Sequence, residues 1–195
     1  QGRIRRYYDR DAVVIHPPVE TGRFRPLENV EDYYLIVSRL IPYKRIDLAI
    51  RAFNELGRPL VIAGDGRDRE ALEVLAGPNV SFLGYVPDED LPGLFGRCRA
   101  YILPGVEDFC IAPVEAQAAG RPVIACGAGG ALDTVIDGET GTFFREPTAE
   151  ALADTVRTFD AGAIDPDACA TNASRFDADI FREKLARFIE ERLEE

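Results

Sequence analysis

Short apolar runs alternate with amphipathic stretches through most of the chain, and this alternation constrains the fold more than any other sequence feature. Buried strands that alternate with helices are typical of a parallel sheet covered on both faces. Right-handed crossovers then favour a doubly wound sheet with the strand order 3-2-1-4-5-6. We therefore predict an α/β, Rossmann-like fold with strands at residues 33–38, 60–63, 80–83, 100–103, 122–125 and 141–144.

The stretches between and after these strands have the apolar spacing or the end signals of helices. In the first of them, Ile46, Ile50 and Phe53 fall on one helical face. Asp177 is placed to cap the terminal helix. The helices are predicted at residues 44–56, 68–75, 89–96, 131–136, 149–159 and 180–193, and one more begins near residue 112.

Residues 1–29 differ from the rest, because prolines and glycine at 17, 18, 22 and 26 interrupt any regular structure. We interpret residues 1–29 as a connector with a short strand at 13–15, and residues 30–195 as one domain. His16 lies beside the prolines, and we expect it to be solvated. The chain begins with glutamine and contains no methionine, so we expect it to be part of a longer protein.

Composition excludes several classes of partner. The net charge of −11 leaves no basic surface for a nucleic-acid backbone. Four cysteines without CxxC spacing, together with a single histidine, predict free thiols in a reducing compartment and no bound metal. No apolar run reaches the roughly 18 residues that a membrane-spanning helix needs, so we expect no transmembrane segment.

Two loops carry charged residues to the carboxyl end of the predicted sheet. Arg39 and Lys44 follow the first strand, while Glu107 and Glu115, separated by seven residues, follow the fourth. In the predicted strand order these two strands are neighbours, and ligands bind at that crevice. Cations and a helix N-terminus suit a phosphate, and carboxylate oxygens suit the hydroxyl pairs of a sugar. The sequence therefore predicts a site for a ligand with both groups.

Each of these residues also has an ordinary structural explanation. Arg39 and Lys44 could pair with an acidic surface, and glutamate early in a helix is stabilising by itself. Gly127-Ala128-Gly129-Gly130 follows a strand like a dinucleotide fingerprint, but Leu132 occupies the third glycine's place, where it would crowd helix packing. We interpret that loop as facing the sugar. The D-x-D patterns at 88–90, 165–167 and 177–179 fit turns or helix caps.

The segments SRLIPYK and EDFCIAPVEAQAAGRPVIA resemble the carboxyl-terminal, donor-binding half of retaining glycosyltransferases of the GT-B fold, in the large family 4. VIHPPVETGRF is similar to the segment that leads out of the acceptor domain in that family. YKRIDLAI and GGALDTVIDGETG look most like mannosyltransferases of polysaccharide assembly. The sequence departs from the family pattern at Cys110 and Arg45, where glycine is commoner.

The resemblance implies a role for each residue of the predicted site. Glu115 would hold the ribose hydroxyls, Glu107 would contact the transferred sugar, and Arg39 and Lys44 would stabilise the leaving diphosphate. Asp88, in the loop that cradles the base, would accept from guanine. The other residues that the resemblance places around the donor are Ser38, Val86, Phe109, Cys110, Ile111, Gly129 and Gly130.

The function that this resemblance implies is transfer of a hexose to a glycan or a lipid-linked acceptor. GDP-mannose is the first donor expected, and UDP- or ADP-glucose the second. The acceptor domain would lie outside this chain, which would be inactive alone, and the whole protein would be cytoplasmic or peripheral at the inner membrane face. Two alternatives remain open at this point: a GT-B-fold nucleotide-sugar epimerase, and a non-catalytic nucleotide- or nicotinamide-binding Rossmann-like module.

Overall fold

A computed structural model of the chain, which describes residues 2–193, contains one six-stranded parallel sheet. Its strands follow the order β3-β2-β1-β4-β5-β6, as predicted. The strands are β1 Tyr34–Val37, β2 Leu60–Ala63, β3 Val80–Gly84, β4 Ala100–Leu103, β5 Val123–Cys126 and β6 Gly141–Phe144.

Helices connect the strands and lie on both faces of the sheet. Most of their bounds differ from the predicted ones by one or two residues, as expected for frayed ends. The α-helices are α1 Gly2–Tyr8, α2 Ile46–Leu56, α3 Arg69–Leu75, α4 Leu91–Arg97, α5 Ile111–Ala118, α6 Ala131–Thr134, α7 Ala149–Thr158, α8 Pro166–Ser174 and α9 Ala178–Leu193.

The sheet separates two apolar cores, because successive side chains of a strand point to opposite faces. In β1, Tyr34 and Ile36 join the core beneath α2 and α7, whereas Leu35 joins the core beneath α5 and α8. Every residue of β4 and β5 is buried, as expected for central strands covered on both sides. This double cover leaves the loops at the strand ends as the accessible part of the sheet.

Helix α8 is absent from the sequence prediction. Its buried face consists of Cys169, Asn172 and Ala173, which give no apolar stripe to detect. Asn172 Nδ2 donates to Gln117 Oε1 of α5 at 2.6 Å and to the Thr134 carbonyl at 2.8 Å. A buried polar network therefore fixes α8 against α5, where a pattern search expects hydrophobic contacts.

The stretch before the sheet is more ordered than expected, since it contains helix α1, which the sequence analysis did not predict. No strand forms at residues 13–15, because the run is followed by two prolines. Val19 and Phe24 are buried in the core beneath α5. His16 is half-buried: its ring stacks on Phe109 at 5.5 Å and meets the edge of Phe176 at 5.4 Å. The expectation of a solvated histidine is therefore wrong. The division at residue 29 remains a prediction.

Candidate functional site

The loops after β1 and β4 meet at the carboxyl end of the sheet, where these two strands are neighbours. After β1 the chain forms a 3-10 turn, Pro42–Lys44, and α2 begins only at Ile46, not at residue 44 as predicted. A Cβ on Gly105 would lie 2.8 Å from the Tyr43 carbonyl oxygen, closer than real contacts allow. Glycine at 105 therefore lets the turn pack directly on the β4 loop.

Lys44 and Glu107 are in contact across these two loops. Lys44 Nζ lies 2.5 Å from Glu107 Oε1, and the side chains are 17% and 10% exposed. Burial by itself would lower the pKa of Lys44, but the neighbouring Glu107 carboxylate raises it above its ordinary value. Glu107 Oε1 is buried and accepts no hydrogen bond of good geometry from any residue in the described range. The pair therefore holds two opposite charges in a largely desolvated place, with acceptor capacity left over.

Arg39 projects from the same rim but stands apart from this pair. Arg39 is exposed, and its side chain forms no ion pair or hydrogen bond with any residue from 2 to 193. Ser38 is half-buried beside it and donates from Oγ to the Arg39 carbonyl at 3.1 Å. Lys44 is thus engaged by a carboxylate, whereas Arg39 is available to a ligand.

The loop at 127–130 closes the other side of Glu107. The Gly130 N–H donates to the Glu107 carbonyl at 2.7 Å, and Gly129 has a φ of +65°, which favours glycine. A Cβ on Gly129 would lie 2.2 Å from the Glu107 carbonyl oxygen. Leu132, at the place of the third glycine of a dinucleotide fingerprint, is 58% exposed on α6. These glycines permit two backbones to touch beside the carboxylate.

A cavity of about 600 Å³ opens between these loops. Its lining residues come from three different loops. Phe109 contributes one wall and is itself held by the rings of His16 and Phe176. The cavity is lined by Tyr43, Val106, Glu107, Asp108, Phe109 and Gly129.

Cys110 precedes α5, whose first residue is Ile111. Its φ of −123° and ψ of 126° are those of extended backbone, which any residue adopts, so cysteine replaces glycine here without strain. Burial raises the pKa of the thiol to about 11, and the nearby Lys44 opposes this shift. The four cysteines are free, as predicted. The departure from glycine therefore adds a neutral, half-buried thiol close to Lys44.

Arg45, the other departure, is different. It lies in the left-handed region, with a φ of +55°, between the 3-10 turn and α2. Only Asp9 shares this feature among the non-glycine residues that the structure describes. Left-handed backbone costs an ordinary residue about 1 kcal/mol, which explains why glycine suits the position. Arg45 forms an ion pair with Asp47 at 3.2 Å.

Glu115 lies one turn into α5 and forms a second charged centre. Burial raises the pKa of this half-buried carboxyl to about 6; Arg23 opposes the shift and Asp88 adds to it. Asp88 is exposed in the loop after β3, and its carbonyl accepts from Arg23 Nη2 at 2.6 Å. Val86, in the same loop, is half-buried beside a cavity of about 680 Å³.

The sequence prediction missed Arg23. It lies in the stretch interpreted as a connector, and nothing in its immediate neighbours marks an arginine as part of a site. The available signal was indirect, because the buried Phe24 that follows it anchors the turn on the domain.

Comparison with known proteins identifies the family. The model of the family described as glycosyl transferases group 1 matches residues 20–176. The chain belongs to this family. It is 34% identical over 170 residues to the GDP-mannose-dependent alpha-(1-6)-phosphatidylinositol monomannoside mannosyltransferase of Mycolicibacterium smegmatis, covering 72% of this chain and 44% of that one. It is 32% identical over 194 residues to the D-inositol 3-phosphate glycosyltransferase of Mycolicibacterium paratuberculosis, covering 85% and 44%.

Solved structures support the fold. HepE from Anabaena, in complex with UDP and glucose, matches with a TM-score of 0.79 at 23% identity, covering 92% of this chain and 57% of that one. Sucrose-phosphate synthase from Thermosynechococcus elongatus matches with a TM-score of 0.87 at 20% identity, covering 98% and 56%. The chain thus spans less than half the length of the curated relatives described above.

The described residues contain neither a cluster of metal ligands nor a membrane-spanning helix. From 2 to 193, no three His, Cys, Asp or Glu side chains cluster as metal ligands would. Two of the D-x-D patterns act as turns: Asp165 accepts from the Asp167 N–H and Asp177 from the Asp179 N–H. None of the helices described has the length and apolarity that crossing a bilayer requires.

Proposed function

We propose that this glycosyltransferase chain is the donor-binding half of a retaining, GT-B-fold enzyme of family 4, with residues 30–195 as the donor-binding domain. The donor is a nucleotide sugar, GDP-mannose first and UDP- or ADP-glucose second, and the hexose passes to a glycan or lipid-linked acceptor. The mannosyltransferase relative supports the choice of GDP-mannose because its name specifies that donor. The acceptor domain belongs to the rest of the protein, which would be cytoplasmic or peripheral at the inner membrane face.

One observation carries this proposal above the others. A desolvated Lys44–Glu107 ion pair lies at the carboxyl ends of β1 and β4, where the strand order of the sheet reverses. It is next to the N-terminus of the eight-residue helix α5. A ligand with an anionic part can take Lys44 from Glu107, and a hydroxyl of the same ligand can donate to the carboxylate that Lys44 leaves. A nucleotide sugar carries both groups next to each other, which explains why one cation and one acid face each other here.

The charges then define the chemical step. The bond between the anomeric carbon and the phosphate oxygen breaks, and its electron pair leaves with the nucleoside diphosphate. Lys44, Arg39 and the N–H groups near Cys110 offset the negative charge that develops there. The acceptor oxygen forms its bond on the same face of the sugar, and its proton passes to the departing diphosphate. Glu107 orients the sugar through its hydroxyls and takes no proton.

Glu115 and the loop with Asp88 hold the other end of the donor. The Glu115 carboxylate accepts from the ribose hydroxyls, and Asp88 accepts from the N–H groups of guanine. Backbone at 109–111, together with Gly129 and Gly130, surrounds the sugar and phosphate. Ser38 and Val86 lie at the phosphate and base ends of the site, respectively.

Calorimetric titration of the 195-residue chain with GDP-mannose, UDP-glucose, ADP-glucose and NAD tests the proposal. We expect GDP-mannose to bind most tightly and NAD most weakly, since NAD offers neither a hexose to Glu107 nor guanine to Asp88. We also expect no sugar transfer by this chain without an acceptor domain. Binding of NAD in preference to every nucleotide sugar would refute the proposal, and sugar transfer by the chain alone would refute the assignment of a separate acceptor domain.

A further inference from the structure

The 3-10 turn Thr21–Arg23 is fixed rigidly on the domain. Thr21 Oγ1 donates to Asp177 Oδ2, and the turn packs against α5. Phe24, only 6% exposed, lies edge-on to Phe95 with ring centres 5.7 Å apart. A turn held at both ends in this way presents its side chains from a fixed position.

Arg23 reaches from this turn to the loop after β3. Its Nη2 donates to the Asp88 carbonyl at 2.6 Å, and its guanidinium lies over the Phe24 ring at 5.7 Å. Glu20 Oε2 lies 3.8 Å from Arg23 Nη1, and the Arg23 side chain is 34% exposed. Ring, carboxylate and carbonyl therefore restrict the guanidinium to one place, between the Asp88 loop and α5.

Arg23 is also the positive charge that acts on Glu115. Burial raises the pKa of Glu115 to about 6; Arg23 opposes this, and Asp88 adds to it. Two other titratable groups lie close enough to interact with Glu115, namely Tyr101 and Cys110. Burial raises the pKa of each, so both are neutral at pH 7. Arg23 is therefore the one cation that acts on Glu115 within residues 2–193.

We propose that Arg23 is a positioning residue of the nucleoside end of the donor site: its guanidinium fixes the Asp88 loop and supplies the positive charge that acts on Glu115. This inference rests on the proposed role of Glu115 in binding ribose. It moves the boundary of the donor site into residues 1–29, because a side chain of that segment completes the wall between base and ribose.

The proposal predicts a pH signature that loss of structure alone would not produce. Arg23→Met removes the charge, so Glu115 should take up its proton at a higher pH. Nucleotide binding should then need a higher pH, since the protonated carboxyl accepts from ribose less well. Arg23→Lys keeps the charge and should keep the pH midpoint, even if the bond to Asp88 weakens. Arg25, two positions later, is also exposed, and Arg25→Met is the matched control.

The experiment is calorimetric titration of the chain with GDP-mannose and UDP-glucose between pH 5.5 and 8. We expect wild-type affinity to rise through about pH 6. Arg23→Met should shift that rise upward and weaken binding about 3- to 10-fold at pH 6.5, since one pH unit corresponds to a tenfold change in ionisation. Most of the affinity should return by pH 8, and Arg25→Met should match wild type. An equal loss at every pH, or no loss, would overturn the inference.

A second measurement separates this inference from the proposed function. The carboxyl carbon of Glu115, followed by NMR without nucleotide, should titrate at higher pH in Arg23→Met than in wild type and Arg23→Lys. If wild type binds neither nucleotide sugar, the proposed function fails, and the same titration still decides whether Arg23 sets the charge of Glu115. If Arg23→Met does not fold, Arg23→Gln takes its place. An unchanged Glu115 midpoint in a folded neutral variant overturns the inference.

Discussion

Glu107 and Glu115 belong to one sequence pattern, but they occupy opposite electrostatic situations. Glu107 is 10% exposed and meets its cation directly, at 2.5 Å from Lys44. Glu115 forms no ion pair with a described residue, and burial raises its pKa to about 6. The protein pairs Glu107 with a lysine that could bind a phosphate instead, and it holds the pKa of Glu115 close to neutral pH. Two acids at a fixed spacing can thus serve different ends of one ligand.

The largest effect should follow from removing the cation of the first centre. Lys44→Met leaves a buried carboxylate without its partner, so we expect about 1–3 kcal/mol less stability. Affinity for GDP-mannose should fall about 10- to 100-fold, because the proposed charge-assisted contact between Lys44 and phosphate is lost. Urea unfolding and calorimetry measure both quantities.

Two further variants make this result specific. Lys184→Met, in exposed α9, changes the other lysine of the chain and should alter neither quantity. Adding Glu107→Gln to Lys44→Met should restore part of the lost stability, because no uncompensated charge remains. A double variant no more stable than Lys44→Met would contradict the view that these two groups are coupled.

Substitution of each glutamate should separate the two ends of the donor. Glu115→Ala should weaken GDP and GDP-mannose alike, by about tenfold, because both contain the ribose that Glu115 is proposed to hold. Glu107→Ala should weaken GDP-mannose but not GDP, since it removes a sugar contact and frees Lys44 for phosphate. Calorimetry with both ligands tests the contrast. Equal losses for both ligands in both variants would show that the two acids do not divide the donor as proposed.

The raised pKa of Glu115 should appear in the pH dependence of stability. Between the ordinary value of 4.5 and about 6 the folded state binds the proton more tightly than the unfolded chain does. Stability therefore falls as pH rises through this window and is constant above it with respect to this group. Between pH 4.5 and 7, the free energy of unfolding of wild type should therefore fall by about 1–2 kcal/mol more than that of Glu115→Gln. Urea unfolding at the two pH values measures this difference. Parallel pH curves for both proteins would contradict the assignment.

The smallest effect concerns the turn that orients Lys44. Arg45→Gly relieves a left-handed residue but removes the exposed ion pair with Asp47 and adds freedom to the unfolded chain. We expect a net gain of less than about 1 kcal/mol in thermal or urea unfolding. GDP-mannose affinity should be unchanged, because glycine adopts the same backbone. Asp47→Ala, which removes only the ion pair, measures that part separately.

The sequence predicted those parts of the molecule whose physical signal is local. Strand β4 begins and ends at the predicted residues, because four buried apolar residues are bounded by clear breaks. The approach of Lys44 to Glu107 also followed from topology, since β1 and β4 are neighbours in the predicted order. Local pattern and handedness rules together were sufficient to bring the two loops to one rim.

Other parts depend on contacts between distant segments. Helix α8 is held by the Asn172 side chain bonding to α5, and His16 is held by two phenylalanines far along the chain. Arg23 gains its place from Asp88, 65 positions later. Prolines around His16 suggested a solvated connector, but they only exclude regular structure and say nothing about burial. The burial and contacts of such residues depend on tertiary packing, which cannot be read from any short stretch of the sequence.

The glycines at 105, 129 and 130 have a consequence for how this site can change. Each removes a side chain at a point where one main chain presses on another, so the frame of the pocket is built from backbone. If the pocket holds the sugar as proposed, sugar preference must be adjusted elsewhere, by the few side chains that line the opening, such as Tyr43 and Phe109. A designer who wants another hexose accepted can exchange these while leaving the scaffold untouched, whereas an alanine at any of the three glycines would force the loops apart.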